Sequence, residues 1–384
     1  MANTFNFGNG NWAQKTEKLL AYNAENNNYK PLPFDFDRAS TATRVNKDGL
    51  IETVRIDEPR IDFLNNTKGH LLLEPERTNV QIYSQDFSQS VWNTSSTRSV
   101  TFEPTSTIDP EGKTNAYRIT STASDNQVAG LTSILSGTTY TGSIYVKRVS
   151  GTGNVLIRDV NNNQNEYSLL PSDGWKRISA TAQSNSTNGR LYINLNTVGD
   201  SIEIWGAQLE EGSYATSYIP TSGQSGGVTR SAETCSNAGN STVFNDSEGV
   251  LYFEGSALAN DGTNRWAVSL SDGSNDERVQ IIYLSDNSIS SSVISSNSSQ
   301  CSFNYSGGLA TDFNKIAISY KDNDFKMYVN GTQVDSDTSG NAPSGLNTLG
   351  FERPTGVSQF YGNIKDVRVY NTALSDSELQ ALTS

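Results

Sequence analysis

FNKIAISYKDNDFKMYVNGTQVD (residues 313–335) and, beyond a Gly-rich passage, FYGNIKDVRVYNTALSDSELQALTS (residues 360–384) decide how this chain folds. Ile316, Ile318 and Tyr320 alternate with Ala317 and Ser319, the period of a half-buried strand. Phe325, Met327 and Val329 repeat that alternation after a polar KDND turn, and Asn330-Gly331 then predicts a hairpin. Val367 and Val369 share one face of a further strand. Ile364 is out of phase with them, which predicts a β-bulge between. Ser375 and Glu378 form a capping box flanked by Leu374 and Leu379 as a hydrophobic staple, so a short helix closes the stretch.

Tyr328-Val329-Asn330-Gly331 together with FYGNIKDVRVYNTALSDSELQAL resembles the concanavalin-A-like, laminin-G-type jelly roll, over residues 243–384. The resemblance implies two packed antiparallel sheets. It implies no single activity, because that fold carries lectins, adhesion modules, glycosidases and inert spacers.

At 384 residues the chain has room for two or three domains. Only 34% of it is hydrophobic, which suits thin β-sandwiches with long polar loops. A net charge of −13 without a Lys/Arg cluster disfavours nucleic acid as a partner. The opening MANTFNFGNGNW has no basic or apolar signal region, and no apolar run reaches membrane-spanning length, so membrane insertion is not expected. Cys235 and Cys301 fall in no metal or redox spacing and are expected as reduced thiols, with a disulfide still possible.

The expected fold is all-β: two antiparallel β-sandwich (jelly-roll) domains in tandem, a short N-terminal helical or extended anchor, and a short closing helix. Residues 1–35 are expected as the anchor. Asn11 and Gln14 could cap a helix whose one face carries Trp12, Thr16, Leu19 and Leu20, and Trp12, Leu19 and Leu20 are the candidate anchoring or oligomerisation residues. Residues 36–79 are a hairpin-rich module with Asp48-Gly49 at a turn. Arg38 to Val45 and Gly69 to Asn79 resemble a module of tailed-bacteriophage virion proteins, in which R-A-S/T-A-T-R-V precedes G-x-L-L-x-E-P-x-R-T-N. Residues 80–221 carry strand-like runs. Among these, Ile178 alternates with Ala180 and Ala182, and Leu191 with Ile193 and Leu195. Their block GWKRISATA…IEIWGAQLEEGSYATSYIPT resembles the carbohydrate-binding-module-like jelly roll of phage fibre proteins. Residues 222–242 read as a connector of low hydrophobicity, and residues 243–384 as the closing sandwich.

Chemistry is sparse. His70 is the sole histidine, so a Ser-His-Asp triad would need it and a multi-histidine zinc site is impossible; a structural role is preferred. The jelly-roll glycosidases place Glu-x-Asp-x-x-Glu on one strand, and no Glu here precedes an Asp by two positions. Glu254, Glu352 and Asp366 remain as lone carboxylates that nothing in the sequence pairs. Asp35 and Asp37, Asp322 and Asp324, and Asp335 and Asp337 offer calcium-type oxygens without EF-hand spacing, and turn chemistry accounts for them; structural calcium stays possible but no cofactor is expected. Trp92, Trp175, Trp205 and Trp266 could stack on sugars, though Trp205 and Trp266 read as core. No catalytic, metal or glycan-binding residue is assigned.

The resemblances point to a non-enzymatic phage virion surface protein, made in the host cytoplasm and displayed on head or tail. It would be a fibre-like, trimeric adhesin contacting other virion proteins and a host-surface glycan. A purely structural decoration protein, a polysaccharide-degrading enzyme and a secreted bacterial adhesin are the alternatives.

Overall fold

The computed structural model describes residues 5–10, 13–15, 18–23, 28–31, 34–92, 100–123, 126–158, 160–161, 164–263, 265–356 and 358–384. The chain is almost wholly antiparallel β-structure and divides into two compact units. The first comprises Met1–Ala39, Val54–Pro75 and Ala232–Ser384; the second, Ser40–Thr53 and Glu76–Ser231. Residues 36–79 are therefore shared between the units. Among the described residues no helix is long and apolar enough to cross a membrane.

The first unit is a sandwich. One sheet runs in the order Thr332–Asp337, Phe325–Val329, Asn314–Lys321, Glu248–Ala257, Gly362–Tyr370, His70–Leu73, Arg60–Asp62, with Phe5–Gly8 also paired to Gly362–Tyr370. The other runs Ser298–Tyr305, Ile289–Ser295, Arg278–Tyr283, Arg265–Ser271, Thr348–Gly350. Alternate residues such as Leu251, Phe253, Ile316, Ile318, Val367 and Val369 meet Val268, Leu270, Val279 and Ile281 in one core. Asn330 and Gly331 both take positive φ, as the turn between their two strands requires. The helix Asp376–Thr383 begins where Glu378 accepts the Ser375 backbone N–H at 2.8 Å. Leu374 and Leu379 are buried with Tyr252, Ala317 and Tyr370 on the sheet's other face.

Two sequence expectations are corrected here. The helix proposed around residues 12–22 is replaced by strands Ala13–Lys15 and Lys18–Asn23, paired with each other, the latter also to Asn28–Pro31. Leu19 and Leu20 thus lie on a strand, while Trp12 and Thr16 lie outside the described residues. A three-turn helix is marginal alone, whereas paired strands satisfy one another's backbone groups. The N-terminal segment is also no separate anchor throughout, since Phe5 and Phe7 enter the core and Phe34 stacks on Phe351 at 5.3 Å. Second, residues 222–242 are no loose connector. Val228–Arg230 and Thr234–Ser236 are strands, and Arg230, Glu233, Cys235 and Ala238 are buried. Low hydrophobicity misled because part of what this stretch buries is charge. Glu233 takes Arg38 Nη1 at 2.7 Å and Arg60 Nε at 2.9 Å, and Arg60 Nη1 reaches Glu74 at 2.9 Å.

The second unit is another sandwich. Its sheets run Val100–Pro104, Tyr117–Ser121, Ser201–Glu211, Thr139–Ser150, Lys176–Gln183 and Asn126–Ser133, Asn188–Leu195, Val155–Arg158, Gln164–Tyr167. Ile178, Ala180, Leu191, Ile193 and Leu195 bury as their alternation requires. Ala42–Val45 and Ile51–Val54 pair about the turn at Asp48-Gly49. The polar text of IEIWGAQLEEG is internal wiring. Buried Glu210 accepts Gln208 Nε2 at 2.6 Å and the Thr216 N–H at 2.9 Å, and Asn79 Nδ2 bonds the Ile219 carbonyl at 2.8 Å.

Candidate functional site

The strongest candidate lies on the helix-bearing face of the first unit's larger sheet. Here the strand register does what the sequence could not. Glu254 is opposite Asp366 on one side and Lys315 on the other, and Tyr252 is opposite Arg368. Between Glu254 and Gly255 the register slips, so Asp366 pairs with Glu254 and Ile364 with Gly255, leaving Lys365 as the extra residue. This is the bulge that Ile364 signalled. It keeps Ile364 and Val367 in the core while Lys365 and Asp366 both line the same cleft. Gly8 braces it. With φ at +107°, a Cβ there would stand 2.1 Å from the Lys365 carbonyl oxygen, which the Asn9 N–H binds at 2.6 Å.

The cleft has a volume of about 500 Å³ and is also lined by the turn carrying Asn66 and Lys68 and by the end of the closing helix. Arg368 Nη2 donates to Asp366 Oδ2 at 2.5 Å. Among the described residues Asp366 Oδ1, although the residue is only 1% exposed, has no hydrogen-bond partner, and neither has Arg368 Nε. Burial, reinforced by neighbouring Glu254, pushes the Asp366 carboxyl up to about 6 against the pull of Arg368. Burial and the carboxylates at Glu254 and Asp366 likewise raise the Tyr252 phenol well above its usual range. Glu254 is more open, with Lys365 Nζ at 3.8 Å. Lys365 also sits 3.6 Å from the ring centre of exposed Phe313. Lys68 donates to Asn9 Oδ1 at 3.0 Å, and Lys315 to the main-chain oxygen of Ser384.

Of the three carboxylates singled out in the sequence, Glu254 and Asp366 come together, and Glu352 lies apart, holding Gln359. His70 is buried, its Nε2 3.8 Å from Asp62 and its ring 5.9 Å from Phe313. Burial, with Lys365 nearby, pulls its imidazole down to about 4. Trp92 and Trp205 are fully buried, Trp175 is half-buried with its Nε1 on the Ile108 carbonyl, and the Trp266 side chain lies outside the described residues. The aspartate pairs serve turns and strands: Asp322 accepts Ala342 N–H, Asp337 accepts Ser339 N–H, and Asp35 and Asp37 lie on a strand paired with Thr234–Ser236. Among the described residues no three His, Cys, Asp or Glu side chains gather as a metal would need. Cys235 and Cys301 are buried free thiols, both pushed up by burial, Cys301 to about 12. Sequence reasoning missed Lys68, Lys315, Lys365 and Arg368. The phase slip at Ile364 was the one signal that could have drawn attention to Lys365 and Asp366.

Among curated proteins no sequence matches the chain. Solved structures similar to part of it include the CBM40 of Ruminococcus gnavus IT-sialidase bound to α2,3-sialyllactose, at 16% identity and TM-score 0.33, covering 39% of this chain and 94% of that one. The binding domain of botulinum neurotoxin serotype G is similar at 18% identity and TM-score 0.31, over 39% of each chain. A SAP-like pentraxin from Limulus polyphemus is similar at 14% and 0.30, over 36% of this chain and 70% of that one. The family model of the concanavalin A-like lectin/glucanases superfamily matches residues 257–380. That stretch of the first unit is a concanavalin A-like, laminin G-like domain.

Proposed function

We propose that this chain is a non-enzymatic adhesive protein that binds glycan in the cleft at Glu254 and Asp366. The observation that carries this is a polar cleft of about 500 Å³ in which Glu254 and Asp366 stand among Lys68, Lys315, Lys365 and Arg368. Glu254 is the more open of the two carboxylates and is the acceptor a sugar hydroxyl can reach. The cleft offers acceptors from carboxylates and donors from Lys and Arg side by side, which suits a ligand whose hydroxyls do both. The family matched at residues 257–380 joins lectins with glucanases, which supports a sugar ligand. We further infer a virion-surface setting, with capsid or tail proteins as neighbours and self-association, from the resemblance of Arg38–Val45 and Gly69–Asn79 to the phage module. No cofactor, nucleic acid or membrane insertion enters this reading.

A glycan array followed by titration calorimetry on the full chain tests it. The expected result is saturable binding, lost in Asp366→Ala, with no new reducing ends after prolonged incubation. Binding to no glycan would leave the decoration role as the better reading. A second reading, polysaccharide hydrolysis, draws on one observation: two carboxyls side by side, one held towards its protonated form. Reducing ends that appear with the wild type and vanish with Glu254→Gln would establish it instead. Light scattering of the full chain and of a Leu19→Ser/Leu20→Ser variant tests self-association. A trimer that falls to monomer assigns those residues the anchoring role.

A further inference from the structure

We infer that the cleft at Glu254 and Asp366 selects an acidic sugar, one whose hydroxyls meet Glu254 while its carboxylate or sulfate meets the surrounding lysines. This rests on the glycan-binding reading and narrows it. The chain carries −13 overall, yet four cationic side chains, Lys68, Lys315, Lys365 and Arg368, converge on two acidic ones here. Such a local reversal of sign focuses an anionic ligand on a surface that otherwise repels it.

The two kinds of group are held apart in role. Arg368 is committed to Asp366, so the base of the cleft is internally paired apart from Asp366 Oδ1 and Arg368 Nε. Lys68 and Lys365 are not committed to a close ion pair. Lys68 bonds an amide oxygen on Asn9, and Lys365 stands 3.8 Å from Glu254 over the Phe313 ring. These two come from different elements, a turn and a bulge, which brace each other through Asn9. An anion between them gains charge-assisted hydrogen bonds without breaking a strong one.

The test is calorimetry on the full chain at low and at physiological salt, with three probes: an oligogalacturonate, a sulfated lactose and unmodified lactose. We expect at least one acidic probe to bind about ten-fold or more tighter than lactose, with affinity falling as salt rises. Lys68→Ala and Lys365→Ala, both changes at accessible side chains, should each remove most of that preference while circular dichroism stays unchanged. The carboxylate and sulfate arms tell which acid is read. Equal affinity for lactose, or full retention of the preference in both lysine variants, overturns the inference and leaves the glycan-binding reading standing. Inorganic sulfate displacing the sulfated sugar at equal concentration also overturns it, because the hydroxyls would then count for nothing. Binding of none of the three probes, with none on the wider array, removes both.

Discussion

Glu254 and Asp366 face each other across adjacent antiparallel strands, and Asp366 is the one the fold encloses. Asp366 is shut in, its carboxyl raised to about 6 by burial and by Glu254 despite the Arg368 pair. A group whose folded pKa lies above its unfolded value adds stability below the unfolded value and loses it as pH rises through the folded one. At pH 7.5 the ionised Asp366 therefore costs the first unit stability. Asp366→Asn should raise its melting temperature there, by up to about 3 kcal/mol of stability, while abolishing ligand binding. A lower melting temperature at pH 7.5 would mean that the Arg368 pair outweighs burial.

His70 works in the opposite sense. Its folded pKa is lowered to about 4, so the stability it contributes is present above about 6.5 and lost as pH falls towards 4. Asp366 gains over nearly the same window, from about 6 down to its usual carboxylate value. The two terms, each of about 3 kcal/mol at full extent, nearly cancel. Wild-type melting should thus be almost flat between pH 4 and 6.5 as far as these two groups govern it. Asp366→Asn should uncover acid destabilisation, and His70→Gln acid stabilisation. Parallel pH profiles for all three proteins would sink this account.

Gly8→Ala should damage the cleft from beneath. Its Cβ would meet the Lys365 carbonyl oxygen at 2.1 Å, and its φ of +107° is one that alanine resists. The expected cost is about 2 kcal/mol or more, together with loss of ligand affinity, since the bulge must shift. Denaturant melts and calorimetry on this one variant check both. Unchanged affinity would show that Lys365 does not depend on the brace.

How far the sequence could be read depends on what kind of signal each feature leaves. Alternation exposed Ile316–Ile318–Tyr320 and Leu191–Ile193–Leu195, the Asn330-Gly331 turn exposed a hairpin, and Ile364's phase slip exposed a bulge, because each is local. The juxtaposition of Glu254 with Asp366 is not local: it depends on which strands become neighbours, over a hundred residues apart. The stretch around Glu233 misled for a related reason. Its burial is compensated by arginines 173 and 195 residues away, so composition alone made it look like linker. The N-terminal stretch misled because WAQKTEKLL fits a helical face as well as a strand, and partners rather than propensity decide such short segments.

Removing the first 33 residues should do more than alter assembly. Phe7 is 1% exposed, and its ring lies 5.4 Å from Phe34 within the first unit's core. Phe7→Ala alone should cost that unit about 3–5 kcal/mol. A truncated chain that dissociates therefore proves nothing about oligomerisation unless its melting temperature is first shown to match that of the full chain. We expect a clear fall instead.

Glu233 is a fully buried acid at the centre of a charge cluster. It receives Arg38 and Arg60 together, and its Oε2 also takes the Glu74 N–H at 2.9 Å. Removing one partner from a fully buried charge cluster leaves the others uncompensated, which costs about 3–5 kcal/mol. Glu233→Ala should therefore unfold the first unit at a markedly lower denaturant concentration. Glu233→Gln should retain part of the hydrogen bonding and lose less. Replacing Arg38 by Met alongside Glu233→Gln should recover some of the loss, because the unpaired cation goes with its partner. If the double variant were as unstable as the sum of the two single ones, the cluster would act as separate contacts rather than as one network.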